Sequence, residues 1–106
     1  MNKEERKAYI AQGHTEPGWL HVIEKLDDDL SAIDPDYTID QIKQKFGGLR
    51  YYFTSEHHLE ELYQLVVKAE RQCWKTCENC GVTDGVTTNK QGCVRTYCEE
   101  CRRELL

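Results

Sequence analysis

The chain has 106 residues, of which 39% are hydrophobic and 31% charged, and its formal net charge is −5. A chain of this length forms one domain with a modest core, so a bound metal would supply a useful part of its stability. The acidic charge argues against a general nucleic-acid-binding protein, because contacts to phosphate need a basic field. The charge is uneven: residues 16–36 carry seven acids and one base, whereas residues 38–54 carry three bases and one acid.

The start of the chain lacks the apolar segment of a signal peptide, and no apolar run reaches membrane-spanning length. We therefore expect a cytoplasmic protein without a membrane partner. In a reducing cytosol its six cysteines would stay free to bind metal. A disulfide framework is the alternative, since six is an even number, but it would require secretion.

Two helices are predicted at the start of the chain. The first covers residues 3–11 and ends at Gly13. The second begins at Thr15, which can act as N-cap, with Pro17 in the first turn, and it ends near Ala32 because a proline follows. Its apolar residues recur at helical spacing: Trp19, Val22, Ile23, Leu26, Leu30 and Ile33.

Three consecutive acids, Asp27, Asp28 and Asp29, are expected on the outer surface of this second helix. A solvated face is the plain interpretation. A docking surface for a basic partner, or a mimic of nucleic acid, is the other. The acidic face or an exposed Trp19 could also support a homodimer.

Residues 38–53 allow two interpretations. In the favoured one, Thr38 and Gln41 form a capping box, Ile39, Ile42 and Phe46 form a helical stripe, and Gly47 ends the helix. A strand over residues 49–53 then follows, because aromatic residues favour strands. In the other, the whole stretch is a β-hairpin that turns at Gly47-Gly48.

Alternation along the strand places Leu49, Tyr51 and Phe53 on one side and Arg50 and Tyr52 on the other. A cation beside an aromatic ring suits a ligand with a phosphate and a base. We therefore predict a contact surface for a ligand. Its candidate residues are Trp19, Lys43, Lys45, Arg50 and Tyr52. The alternative is that Tyr52 packs and Arg50 pairs with the acidic helix.

A third helix is predicted over residues 56–73, with Ser55 as N-cap. Its apolar stripe recurs at intervals of three and four residues: Leu59, Leu62, Val66, Ala69 and Cys73. His57 and His58 open the helix, and we expect both at the surface.

Two Cys-x-x-Cys pairs follow, separated by residues 81–97. This spacing is typical of a structural zinc site, in which four thiolates surround one ion tetrahedrally. The predicted ligands of a single Zn²⁺ are Cys77, Cys80, Cys98 and Cys101. Gly81 follows the first pair, where a tight turn often needs positive φ.

The residues between the two pairs contain turn formers and two β-branched runs, residues 86–88 and 94–97, that predict a small hairpin. Cys73 or Cys93 could be a further thiol near the metal. The leucines that end the chain, Leu105 and Leu106, are expected to pack from a helical turn. The expected fold class is α+β: a helical body over residues 1–72 with a short strand or hairpin, and a four-cysteine zinc ribbon over residues 73–106.

The order of these motifs resembles a group of small, mostly uncharacterised phage and prophage proteins. The resemblance spans roughly residues 18–101, and its most specific segment is Lys45-Phe46-Gly47-Gly48-Leu49-Arg50. Gly18-Trp19, residues 77–81 and residues 96–101 also match. Cys93 departs from the group, which tends to have tryptophan there. The resemblance implies action in a bacterial cytoplasm but supplies no known activity.

Three functions remain open. The first is non-catalytic binding that blocks a host defence protein or sequesters a nucleotide signal. The second is a zinc-ribbon adaptor for nucleic acid or the transcription machinery. An enzyme is the least favoured, because four thiolates leave zinc no open coordination position and residues 81–97 contain no histidine.

Overall fold

The computed structural model describes all residues, 1–106, and confirms the α+β class. Four helices and two antiparallel hairpins follow one another along the chain. The helices are α1 (Lys3–Ala11), α2 (Leu20–Ile33), α3 (Leu59–Cys73) and α4 (Glu99–Leu105). The strands are β1 (Thr38–Lys45), β2 (Gly48–Thr54), β3 (Thr87–Thr88) and β4 (Thr96–Tyr97). β1 pairs with β2, and β3 pairs with β4.

The first two helices lie close to their predicted bounds, but the start of the second is built differently. A short 3-10 turn, Pro17–Trp19, precedes α2, and its N-cap is Glu16 without a side-chain hydrogen bond. The prediction of Thr15 as N-cap is therefore wrong, and its hydroxyl is buried without a partner. The apolar stripe of α2 is confirmed, with Val22, Leu26 and Leu30 buried.

Residues 38–54 form a hairpin, so the favoured helix over residues 38–46 is wrong. The turn consists of Phe46 and Gly47, both at positive φ, which matches the right-handed twist of the strands. The sequence misleads because a β-bulge lies between Ile39 and Gln41. The extra residue puts Ile39 and Ile42 on the same buried face although they are three apart, a spacing that otherwise indicates a helix.

Helix α3 begins at Leu59, three residues later than predicted. Ser55 still accepts a hydrogen bond from the backbone N–H of His58 and donates one to Asp34, so it fixes the loop before the helix. His58 is half-buried and His57 is exposed. The predicted stripe is buried from Leu62 to Cys73, whereas its first member, Leu59, is 59% exposed.

The residues after α3 form the cysteine module, residues 74–106, built from the β3–β4 hairpin and α4. The predicted small hairpin is confirmed over the two short paired strands. The expectation that the terminal leucines pack is wrong, because Leu105 and Leu106 are at least half exposed. Cys101 is the one buried residue of the seven-residue α4, so the C-terminal end of that helix does not pack into a core.

A buried polar network joins α1, α2 and the first hairpin. Arg6 and Asp27 are fully buried and paired, with 2.8 Å between Arg6 Nε and Asp27 Oδ1. The Tyr37 hydroxyl donates to the same carboxylate oxygen and lies 2.6 Å from the Tyr51 hydroxyl. The prediction that Asp27 lies on the outer surface is therefore wrong, whereas Asp28 is exposed.

None of the helices combines the length and apolar character needed to cross a bilayer.

Candidate metal centre and contact surface

The four predicted zinc ligands converge on one point. Their Sγ atoms all lie within 4.8 Å of one another. Cys80 Sγ and Cys98 Sγ are 3.7 Å apart, close to the roughly 3.8 Å that a tetrahedral site with Zn–S bonds of about 2.3 Å requires. All six cysteines are free, and the disulfide alternative would need sulfurs about 2.05 Å apart. The four cysteines could therefore coordinate one metal ion.

Within the cluster, backbone N–H groups favour the thiolate of Cys77, whereas neighbouring sulfurs raise the pKa of Cys80 and Cys101. Cys77 lies in the turn after α3, and Gly81 closes that turn at φ +85°. Burial would raise the pKa of the Cys77 thiol, but hydrogen bonds from the backbone N–H groups of Cys80, Cys98 and Asn79 lower that pKa to about 6. A thiol that is ionised near neutral pH binds metal without first losing a proton.

The second cysteine pair is held by the first turn of α4. Cys98 is the N-cap of that helix, and its sulfur accepts from the backbone N–H of Cys101 at 3.4 Å. The Asn79 side-chain amide donates to Cys101 Sγ at 3.4 Å. These N–H groups orient the sulfurs and would compensate thiolate charge, as the surroundings of metal ligands commonly do.

Glu78, between the first two cysteines, is fully buried and joins the module to the first hairpin. Its carboxylate accepts from the backbone N–H of Thr96 at 3.0 Å and from the Gln44 amide at 3.4 Å. Arg95 Nε lies 3.7 Å from its other oxygen. Burial raises the pKa of the Glu78 carboxyl. The sequence offered no signal for this role, since the residue reads as an ordinary surface acid.

Gly18 and Trp19 attach helix α2 to the module. The backbone N–H of Gly18 donates to the Glu78 carbonyl at 2.8 Å, and Trp19 Nε1 donates to the Thr76 carbonyl at 2.9 Å. A Cβ at Gly18 would fall 2.1 Å from the Cys77 carbonyl oxygen, so no larger residue fits. The Gly18-Trp19 motif is thus explained by this junction.

The tip of the first hairpin also contacts the module. The Thr96 hydroxyl donates to the carbonyl of Gly47, and a Cβ at Gly47 would lie 3.0 Å from that hydroxyl. At Gly48 a Cβ would lie 2.5 Å from the Trp74 ring. The two glycines of the Lys45–Arg50 segment therefore allow close packing of the hairpin against the module.

The two remaining cysteines lie outside the cluster. Cys73 belongs to the main hydrophobic core, and burial raises the pKa of its thiol to about 12. Cys93 is exposed in the loop between β3 and β4. Neither thiol is part of the four-cysteine group.

The predicted contact residues separate into two groups. Trp19 is fully buried, so it cannot contact a ligand or a second copy. The others lie on the outward side of the first hairpin. Lys43 Nζ is 5.7 Å from the centre of the Tyr52 ring, and Lys45 Nζ is 5.7 Å from that of Phe46. Arg50 is directly opposite Lys43 in the strand register.

A groove of about 1010 Å³ runs between β2 and α3 beside these residues. Arg50 and Tyr52 line one wall, and Leu59 and Tyr63 line the other. Leu59 and Tyr63 are each 59% exposed. Neither residue was predicted as a contact residue from sequence, because the helical periodicity places Leu59 on the buried stripe of α3 and Tyr63 next to that stripe.

Comparison with protein-family models, with curated proteins and with solved structures found no match for this chain.

Proposed function

We propose that this chain is a zinc-stabilised binding protein without catalytic activity. Zinc is the metal that four thiolates in a tetrahedron fit best. The same four ligands would fill its coordination sphere, which leaves no position for a reacting water or substrate. The role of the metal would then be to stabilise the fold. It would hold the cysteine module in the shape that presents the Glu78 and Thr76 carbonyls to the N–H groups of Gly18 and Trp19.

The ligand that this surface fits best is a nucleotide. The observation that carries this proposal is the group formed by Lys43, Arg50 and Tyr52. Neither cation has a carboxylate within ion-pair distance, and Lys43 lies over the Tyr52 ring. The cations would meet phosphate and the ring would stack on a base. The resemblance to phage proteins favours action in a bacterial cytoplasm, where binding of this kind would sequester a nucleotide signal.

Calorimetric titration of the zinc-loaded protein with linear and cyclic nucleotides tests this proposal. Saturable heat with at least one nucleotide is expected, and Arg50→Glu should abolish it. Lys25→Glu changes the charge equally on α2 and serves as the control, because Lys25 is exposed and pairs only with Asp29. Silence across the panel would reject nucleotide binding.

A protein partner is the second candidate, and the groove beside this surface favours it. Exposed tyrosine next to arginine is typical of the centre of protein interfaces, and Leu59 adds apolar surface beside them. A photo-crosslinking amino acid at Tyr63 should then capture a specific host protein, whereas the same group at Glu24 on α2 should not. Equal capture at both positions would reject the groove as the interface.

A further inference from the structure

The surface cations of the first hairpin continue onto α3 and form a single face. We define the basic-aromatic face by its five cations and the aromatic residues between them. The cations are Lys43, Lys45, Arg50, Lys68 and Arg71, and the aromatic residues are Phe46, Tyr52, Tyr63 and Trp74. All four aromatic residues are exposed, from 38% at Trp74 to 68% at Phe46.

The parts of this face are contiguous. Arg50, Tyr52 and Tyr63 line the groove described above, and Tyr63 also lines a second groove with Lys68 and Arg71. Trp74 packs on Gly48, directly after the hairpin turn, so the last turn of α3 adjoins the hairpin tip. The face therefore extends from Lys45 and Phe46, across Arg50, to the outer side of α3.

The cations of this face are available to a ligand. The ion pairs that involve lysine or arginine lie between α1 and α2, within α2, and at Arg95. None includes a member of the face. Glu70 lies within it and keeps its charge, but its carboxylate accepts the backbone N–H of Tyr51 at 3.0 Å and pairs with no cation of the face. Five unpaired cations beside one another, in a chain with net charge −5, indicate an anionic ligand.

From this arrangement we infer that the basic-aromatic face binds single-stranded nucleic acid. The inference deepens the proposed nucleotide binding and rests on it. Cations alone would fit any polyanion, but exposed aromatic rings between them offer stacking surfaces that only unpaired bases reach. From Tyr63 to Trp74 the helix rises about 16 Å, which at roughly 3.4 Å per nucleotide accommodates about five nucleotides.

The charge at the other end of the first groove sets the path of the strand. Asp40 and Glu60 line that end, next to the start of α3, and would repel phosphate. The strand would therefore run along the opposite end, past Arg50 towards Lys68 and Arg71. The net negative charge of the chain does not exclude this binding. At physiological salt, screening limits the repulsion between distant acids and the phosphates to about 8 Å, so the local cations dominate.

Fluorescence anisotropy of labelled oligothymidylate and of a single-stranded RNA of equal length tests the inference on the zinc-loaded protein. Saturable binding at low salt is expected. Its logarithmic salt dependence should have a slope of about −3, as expected for four phosphate contacts at roughly −0.7 each. A duplex of the same length should bind at least tenfold more weakly.

Lys68→Glu and Arg71→Glu lie outside the set predicted from sequence and are the informative variants. Each should weaken strand binding about tenfold, and Tyr63→Ala should weaken it at unchanged salt slope. Lys25→Glu makes the same charge change on α2 and should alter binding less than twofold. Circular dichroism and zinc content confirm that each variant folds.

Three results would overturn the inference: no anisotropy change at low salt, equal binding of duplex and single strand, or equal losses in Lys25→Glu and Arg71→Glu. If mononucleotides give saturable heat while strands do not bind, the inference fails and the proposed function stands. If strands bind through Arg71 and mononucleotides do not, the inference is supported, and single nucleotides are rejected as the ligand.

Discussion

The indole nitrogen of Trp19 donates a hydrogen bond of 2.9 Å to the carbonyl oxygen of Thr76, which lies 57 positions later in the chain. Both residues are fully buried. This contact joins the start of α2 to the residue that precedes Cys77, the first member of the four-cysteine cluster.

Trp19→Phe should destabilise the zinc-loaded protein by about 3 kcal/mol. Part of this loss, about 1–3 kcal/mol, is the cost of leaving the buried Thr76 carbonyl without a donor. The rest comes from the cavity left by the smaller ring. Trp74→Phe is the matched control. Its indole N–H makes no hydrogen bond and its ring is partly exposed, so about 1 kcal/mol or less is expected. Urea unfolding measures both, and equal losses would contradict the role of the Trp19 hydrogen bond.

Asp27→Asn should cost about 3–5 kcal/mol of unfolding free energy, because it leaves the buried Arg6 guanidinium without its counter-charge. The neighbouring Asp28→Asn makes the same chemical change on an exposed side chain and should cost about 0.5 kcal/mol or less. Thermal or urea unfolding distinguishes the two. Similar values for both variants would show that the Arg6–Asp27 pair does not hold the fold together.

One thiol should react rapidly with Ellman's reagent in the zinc-loaded protein. Cys93 is exposed and outside the cluster, whereas burial raises the pKa of Cys73 to about 12 and keeps its thiol protonated. Zinc would protect the remaining four cysteines. Cys93→Ser should remove the fast phase, and a chelator should restore reactivity at the cluster. A fast reaction of Cys73 in the folded protein would refute its burial.

Two of the six tyrosines should resist ionisation until the protein unfolds. Burial raises the pKa of Tyr37 and of Tyr51 above the ordinary value near 10. Above pH 10 the unfolded chain loses these protons and the folded chain keeps them, so stability falls as pH rises. Absorbance titration of tyrosinate should show that Tyr37 and Tyr51 ionise only together with loss of secondary structure. Six groups titrating together without unfolding would contradict the buried network.

The cluster of four cysteines was predictable from sequence, whereas the first hairpin was only partly so. The cysteine spacing identifies the members of the cluster because two Cys-x-x-Cys turns can bring four sulfurs to one point. Ile39 and Ile42, by contrast, are three residues apart and favour a helix, and only the bulge places them on one face of a strand. A bulge depends on the partner strand, which local periodicity does not describe.

Pairing between distant residues accounts for the other errors. Asp27 belongs to an acidic run, and its burial requires Arg6, a residue 21 positions away on another helix. A tryptophan at position 19 is compatible with a ligand surface and with a core. Its burial depends on packing against the distant Thr76, whose carbonyl accepts the indole hydrogen bond. The basic-aromatic face was half predicted. Lys43, Lys45 and Arg50 are close in sequence, but Lys68 and Arg71 adjoin them only because α3 packs on the hairpin.

The most direct test of the account is X-ray absorption at the zinc edge, combined with metal quantification, on protein purified from a reducing cytosol. The account predicts one zinc ion per chain with four sulfur neighbours at about 2.3 Å. Protein without zinc, nitrogen or oxygen ligands in place of sulfur, or disulfides among Cys77, Cys80, Cys98 and Cys101 would contradict it.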